Sequence, residues 1–273
     1  MKKRKLFLKI GAGLLAFGLI IFCFSLTFSF TGNPLIMLIA RGTAQKYIRD
    51  NYPEYRLEIT DIHYDFKFTE YAVSAQSPES QDTRFGIFIT KDGANIAYDT
   101  FQTDVEQRGN TLSRLSNEYT KQIETIVSSI PEAQDIFCYF SWATTPDGTP
   151  AIPYQDIPLD MPFSMQAIHS MDGSLMIRIT CNTLNTSEAA HLIKTIQTLL
   201  AAENMEPAYY NFYFEEADSS QNWLSTATYP AKKLQNISED ELELEIREAN
   251  KEQIEAKGCL AVDNPSSTIE NRN

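Results

Sequence analysis

From Ile10 to Phe30 the chain runs 21 residues without a charge, and Leu, Ile, Phe and Ala dominate. As an α-helix this stretch spans ~31 Å, about the thickness of a bilayer's hydrocarbon core. Five bases precede it (Lys2, Lys3, Arg4, Lys5 and Lys9) with no acid among them. The positive-inside tendency therefore predicts a cytoplasmic tail over residues 1–9, a transmembrane helix over 10–30, and everything beyond 30 outside the cytoplasm. A cleaved secretory signal is the competing reading. Its apolar region is usually shorter, roughly 7–15 residues, and ends at a small-x-small site. Thr27-Phe28-Ser29 is a poor version of that site, and bulky Phe22 stands before Cys23 where a lipoprotein signal needs a small residue. Length and flanks predict a retained single-pass anchor.

Beyond residue 9 the other 264 residues hold 18 bases against 36 acids. An acidic body of this kind repels nucleic acid, whose binding needs a basic footprint. It favours a basic partner or dissolved cations, and disfavours docking on anionic lipid beyond the anchor. A hydrophobic content of 43% is enough for a sizeable core. Four cysteines, at 23, 138, 181 and 259, are too few for a disulfide scaffold.

After the apolar segment, Asn33-Pro34 reads as a helix start, with Ile36, Ala40, Thr43, Ala44, Tyr47 and Ile48 at helical spacing. Tyr52-Pro53 ends that helix. Leu57 and Ile59 share one parity and Ile62, Tyr64, Phe66 and Phe68 the other, which predicts a bulge near Asp61. Strands through Tyr71–Ala75, Phe85–Ile89 and Ile96–Phe101 follow, the last two joined at Asp92-Gly93. A long helix is predicted from about Asp104 to Ile130, weakened at Gly109 and closed by Pro131, then a strand from Ile136 to Trp142. Residues 143–172 hold five prolines and read as a stiffened surface excursion, the alternative being a functional loop. The clearest β-α-β pattern comes next: a strand ending at Cys181, a helix opened by Asn185 and Glu188, and an aromatic strand from Tyr209 to Phe214, with a further strand over Trp223–Tyr229. Ser238 to Glu241 is a capping box for a last helix reaching about Lys257 and stopping at Gly258. Its stripe of Leu242, Ile246 and Ala249 is thin, which predicts edge packing or a solvated helix. From Asp263 the polar tail reads as disordered.

Signatures of chemistry are sparse. The sequence has no Gly-x-Ser-x-Gly, no His-Glu-x-x-His and no phosphate-binding glycine loop. Cys181 and His191 fail as a nucleophile–base pair, because one falls on the apolar parity of its strand and the other opposite the apolar stripe of its helix. Cys138 and Cys181 both lie in strands. A disulfide is possible outside the cytoplasm if those strands are neighbours, and two free core thiols is the preferred reading. Asp61, His63 and Asp65 share a strand face and could hold a cation, but a solvated polar face is the preferred reading, because a metal site needs further ligands. Glu215, Glu216 and Asp218 offer calcium-type oxygens or an ordinary charged strand end. Asn185-Thr186-Ser187 and Asn236-Ile237-Ser238 are glycosylation sequons that matter only in a host that uses them. No catalytic, cofactor-binding or metal residue is assigned.

The order of an apolar helix, Thr31-Gly32-Asn33-Pro34, a helix with Tyr47-Ile48, then Asn51-Tyr52-Pro53 and Ile59-x-Asp61-Ile62-x-Tyr64 resembles the YfjL-like family. Ser77-Pro78 and Arg84-Phe85 fit its extended strands. That resemblance implies a membrane-anchored protein of Gram-positive bacteria without an assigned activity. It is sharpest over roughly residues 1–100 and carries over no catalytic residue. The helix-then-strands order also resembles the small PepSY-type α+β domains of the cell envelope.

The expected architecture is α+β: a single transmembrane helix, an α+β unit over 31–102, a second over 103–235, each a helix packed on an antiparallel sheet, and an acidic helix with its tail over 236–273. The expected function is a non-catalytic envelope module that binds a protein or peptide partner, with membrane lipid touched through the anchor and no cofactor. The alternative is a ligand or cation sensor, or an unrecognised enzyme, with a pocket between the two units.

Overall fold

A computed structural model describes residues 2–143, 153–217, 219–252 and 254. The chain divides into two compact units, one of residues 1–111 with 157–161 and one of residues 112–156 with 162–273.

The first unit opens with α1 (Lys2–Thr31), an unbroken helix. Among the described residues it is the one helix long and apolar enough to cross a membrane, and none of its apolar window is buried in the protein. Thr27, Ser29 and Thr31 each return their hydroxyl to the carbonyl four residues back. The helix ends at Gly32, whose φ of +74° suits a residue without a side chain. A Cβ there would lie 2.6 Å from Tyr64 Cβ, so the turn is held against the sheet. Asn33 then caps α2 (Pro34–Asn51) by accepting from the amide of Leu35, with Pro34 in the first turn. The cap and the stop at Tyr52-Pro53 stand where the sequence placed them.

Four antiparallel strands follow in the order β1 (Glu58–Asp65), β2 (Glu70–Gln76), β3 (Arg84–Ile89) and β4 (Ile96–Asp99). The parity switch is a register shift between Ile59 and Asp61 of β1. Ala40, Ala44 and Ile48 of α2 pack into a core with Tyr71, Val73, Ala75, Phe85, Ile87 and Ile89. The two alanines let the helix lie close on the sheet. Gly93, at φ +75°, closes the β3–β4 turn; a Cβ there would meet the carbonyl oxygen of Ile36 at 2.9 Å. The carbonyl of Gly93 accepts from Thr43 Oγ1 at 2.7 Å. Of the proline-rich excursion, residues 144–152 lie outside the described residues. Ile157 is buried, and Asp160 Oδ1 accepts from the amide of Asp82 at 2.8 Å, so this part of the excursion belongs to the first unit's packing.

The long helix begins later than its periodicity predicts. Gln102–Glu106 forms a π-type turn, Arg108 takes φ +62°, and α3 runs from Gly109 to Val127. Arg108 fixes this break by donating from Nε to Ile157 O and from Nη1 to Val105 O. Leu112, Leu115, Tyr119, Ile123 and Val127 form its buried face.

The second sheet contains β5 (Asp135–Trp142), β6 (Gly173–Cys181), β7 (Tyr209–Glu216), β8 (Ser219–Ser225) and β9 (Tyr229–Pro230), with α4 (Met165–Ser170) ahead of β6. It is mixed rather than antiparallel. The crossover α5 (Thr186–Ala202) returns the chain so that β6 and β7 run parallel. The strand expected over Trp223–Tyr229 is instead β8, which ends at Ser225. Thr226 breaks the pattern by placing its hydroxyl on the amide of Phe212, and only Tyr229–Pro230 pairs again. Two further helices, α6 (Ala231–Asn236) and α7 (Glu239–Ala249), complete the described chain. The Ser238 capping box is present in full. The thin stripe of α7 is not solvated: Leu242 and Ile246 are fully buried and the helix packs on α5. Gly258 and the tail from Asp263 lie outside the described residues.

Candidate binding groove at the edge of the N-terminal sheet

The outer edge of β1 has no strand partner among the described residues. An unpaired edge exposes backbone donors and acceptors, a hazard usually blunted by bulges and charge. β1 carries both, in the Ile59/Asp61 irregularity and in Glu58, Asp61 and His63.

Alongside that edge lies a groove of about 560 Å³ between α2 and the start of β1. Its apolar floor comes from Ile48, Tyr52, Leu57 and Ile59, and its rim carries Arg41, Arg49 and Arg56 against the single carboxylate of Glu58. Arg41, Gln45 and Arg49 are four residues apart, so they share one face of α2. Arg56 follows the helix in the left-handed conformation, φ 46°, which turns the chain into β1. Arg49 Nε stands 3.9 Å from Asp50, and Arg56 Nη1 stands 2.5 Å from Glu79. Both pairs are exposed, so a ligand displaces them at little cost.

The groove's wall is fixed from behind. Asp99 Oδ2 accepts from the hydroxyls of Tyr47 at 2.5 Å and Tyr52 at 2.7 Å, while Oδ1 accepts from the amide of Phe101 at 3.0 Å. Burial, followed by the hydrogen bond to the Asp99 carboxylate, raises both phenols above their ordinary pKa, so both remain donors. Tyr52 also stacks on Phe101 at 4.3 Å and meets Phe85 edge-on at 5.2 Å. The end of α2 is thereby tied to β4 and the core.

The residues weighed from sequence are placed as follows. His63 Nδ1 lies 2.9 Å from Asp61 Oδ2, both exposed, whereas Asp65 Oδ1 accepts from the amides of Lys67 and Phe68 and belongs to the hairpin turn. Glu215 accepts from Thr180 and faces Arg178 at 3.8 Å; Glu216 accepts from Asn222 at 2.5 Å. Asp218 lies outside the described residues. Among the described residues no three His, Cys, Asp or Glu side chains gather as a metal set. Cys181 is buried, and His191 is an exposed partner of Glu239 at 3.3 Å. Cys138 and Cys181 are both free. Their strands are neighbours, but Cys138 pairs with Ile177. That offset of four residues separates the two cysteines by ~13 Å, far beyond disulfide reach. Cys259 is outside the described residues. Asn185 is the cap of α5, accepting from Glu188 N at 2.7 Å, while Asn236 donates to Lys232 O at 2.6 Å.

The anchor-like helix, the capped helix and the four-strand meander all lie within the residues matched by a known family. Residues 6–124 match the N-terminal domain of the YfjL-like family. That match extends from α1 well into α3. No curated protein matches the sequence. A crystal structure of a DUF5037 family protein from Ruminococcus gnavus is 12% identical, covering 68% of this chain and 76% of that one, with a TM-score of 0.24, too low to carry an argument.

The three arginines of the groove were not singled out by sequence reasoning. The available signal was the Arg41, Gln45, Arg49 row on the face of α2 flanking Ala40, Ala44 and Ile48. Its meaning depends on β1 lying alongside, which no local pattern encodes.

Proposed function

We propose that the protein is an extracytoplasmic binding module held at the cell membrane by α1. It works without chemistry of its own, by capturing an extended acidic segment of a partner protein along the free edge of β1. The observation that carries this reading is the groove in which three guanidiniums and an apolar floor flank an unpaired strand edge. Strand addition supplies backbone hydrogen bonds, and the pockets beside it select side chains. Arginine gives bidentate pairing with carboxylates. The local charge is opposite to that of the acidic chain as a whole, so the groove selects a different partner from the one net charge suggests.

The anchor itself is supported by the length and apolarity of α1, by the absence of burial along it, and by the five bases ahead of it. Protease applied to intact cells is expected to remove a C-terminal tag. Protection until lysis overturns the outward orientation.

The groove is tested with the full chain in nanodiscs and a fluorescent ten-residue peptide alternating Glu with Val. Anisotropy is expected to show saturable binding that weakens with salt and falls at least tenfold in Arg41→Glu/Arg49→Glu. A peptide alternating Lys with Val serves as the control. Equal binding of both peptides, or no change in the variant, refutes the groove.

A further inference from the structure

The membrane-proximal end of the first unit carries apolar side chains that its own core leaves uncovered. Leu35 and Leu38 in the first turns of α2 are 71% and 68% exposed, and Ile39 beside them is also exposed. At the tip of the β1–β2 hairpin, Phe66 and Phe68 are exposed too, Phe68 at 72%. The ring of Phe66 packs edge-on against Phe30, the last apolar residue of α1, at 5.7 Å. Only Gly32 and Asn33 separate α1 from α2.

From this continuity we infer that the first unit docks on the outer surface of the bilayer through Leu35, Leu38, Ile39, Phe66 and Phe68, with lipid as the occupant of the patch. The inference rests on α1 being a membrane anchor. Given that, the geometry follows: whatever packs against the last turn of the span is at the headgroup layer, where aromatic and aliphatic groups are favoured. The polar groups at this end suit the same place. Lys67 and Lys91 carry long stems that reach past apolar surface to phosphates. The nearby carboxylates are occupied: Asp65 accepts from the amides of Lys67 and Phe68, and Asp92 from the Thr90 hydroxyl and the Ala94 amide. An acidic chain thus presents to the membrane one end that is apolar, with Lys67 and Lys91 as well as Asp65 and Asp92 at its margin.

The test uses the full chain in phosphatidylcholine vesicles containing a headgroup-proximal diazirine lipid, followed by peptide mapping of the photoadducts. Adducts are expected on α1 and also on the peptides containing residues 35–39 and 66–68. The variant Leu35→Glu/Leu38→Glu/Phe68→Glu changes only exposed side chains. It is expected to cut the ectodomain adducts at least tenfold while leaving those on α1 and the circular dichroism spectrum unchanged. Adducts confined to α1 in the wild-type protein overturn the docking but not the anchor. Adducts missing from α1 overturn both.

Discussion

Gly93 is the point at which the β3–β4 turn touches α2, and the consequence of filling it can be worked out. Alanine at φ +75° costs roughly 1–2 kcal/mol in backbone strain. Its Cβ would stand 2.9 Å from Ile36 O, 3.0 Å from Ile36 Cγ2 and 3.1 Å from Ala40 N. Two of these neighbours are backbone, so α2 itself must shift, and overpacking of that kind costs roughly 1–3 kcal/mol more. The total, ~3 kcal/mol, corresponds to about a hundredfold change in an opening equilibrium. The two tryptophans, Trp142 and Trp223, lie in the second unit, so fluorescence would miss the effect. Native-state hydrogen exchange of the β2 and β3 amides reads it directly. Gly93→Ala is expected to speed exchange there about a hundredfold. Gly42→Ala, in the middle of α2 with nothing within 4 Å of the new methyl, is expected to slow it about two- to fivefold through helix propensity. If the two substitutions change exchange in the same direction, the assigned contact between the turn and α2 is wrong.

Other expectations follow from single contacts. Ile246→Ala should destabilise the second unit by about 2–4 kcal/mol in a denaturant melt followed by tryptophan fluorescence, whereas exposed Leu244→Ala should change it by less than about 0.5 kcal/mol. Burial pushes the Cys138 thiol up to about 12 and that of Cys181 up to about 11, so both should resist iodoacetamide at pH 8 until denaturant is added; mass spectrometry should find no bridge between them. Asn185→Ala should cost about 1 kcal/mol by removing the α5 cap, which also argues that this sequon stays unmodified in the folded protein; the same melt measures it. The Thr90 hydroxyl and the Ala94 amide hold the Asp92 carboxyl below its ordinary value, so its contribution to stability is present above pH ~3.8 and is lost as pH falls through the lower folded value. Asp92→Asn should flatten that acid limb of the stability profile, measured by exchange in the β3–β4 hairpin.

Most local features were legible because each follows from a short-range rule. The Asn33-Pro34 cap, the stop at Tyr52-Pro53, the bulge before Asp61 and the Ser238 capping box all depend on neighbours within a few residues. The late start of α3 was not legible. Asp104 and Val105 continue the helical pattern, and the break is made by Arg108 reaching Ile157, 49 residues away. Edge packing and solvation were both open for α7, and packing is found: Leu242 and Ile246 are buried while Ala249 of the same stripe is exposed. The missing cue was on α5, where Thr186, Ala190 and Gln197 are buried off the main stripe, a width that calls for a second packing partner. The groove was hidden for a similar reason, since a row of arginines on a helix reads as a solvated face until the neighbouring strand is known.

The joint between α1 and α2 has a mechanical consequence. Gly32 N donates to Phe28 O, the Asn33 amide donates to the Tyr71 hydroxyl at 3.0 Å, and that hydroxyl returns to Asn33 O at 3.3 Å. Tyr71 belongs to a central strand and is itself buried. The connection has no slack to absorb motion, so the first helix is a lever and not a leash. A tilt or a twist applied to α1 is delivered as torque to the sheet, and the groove beside β1 turns with it.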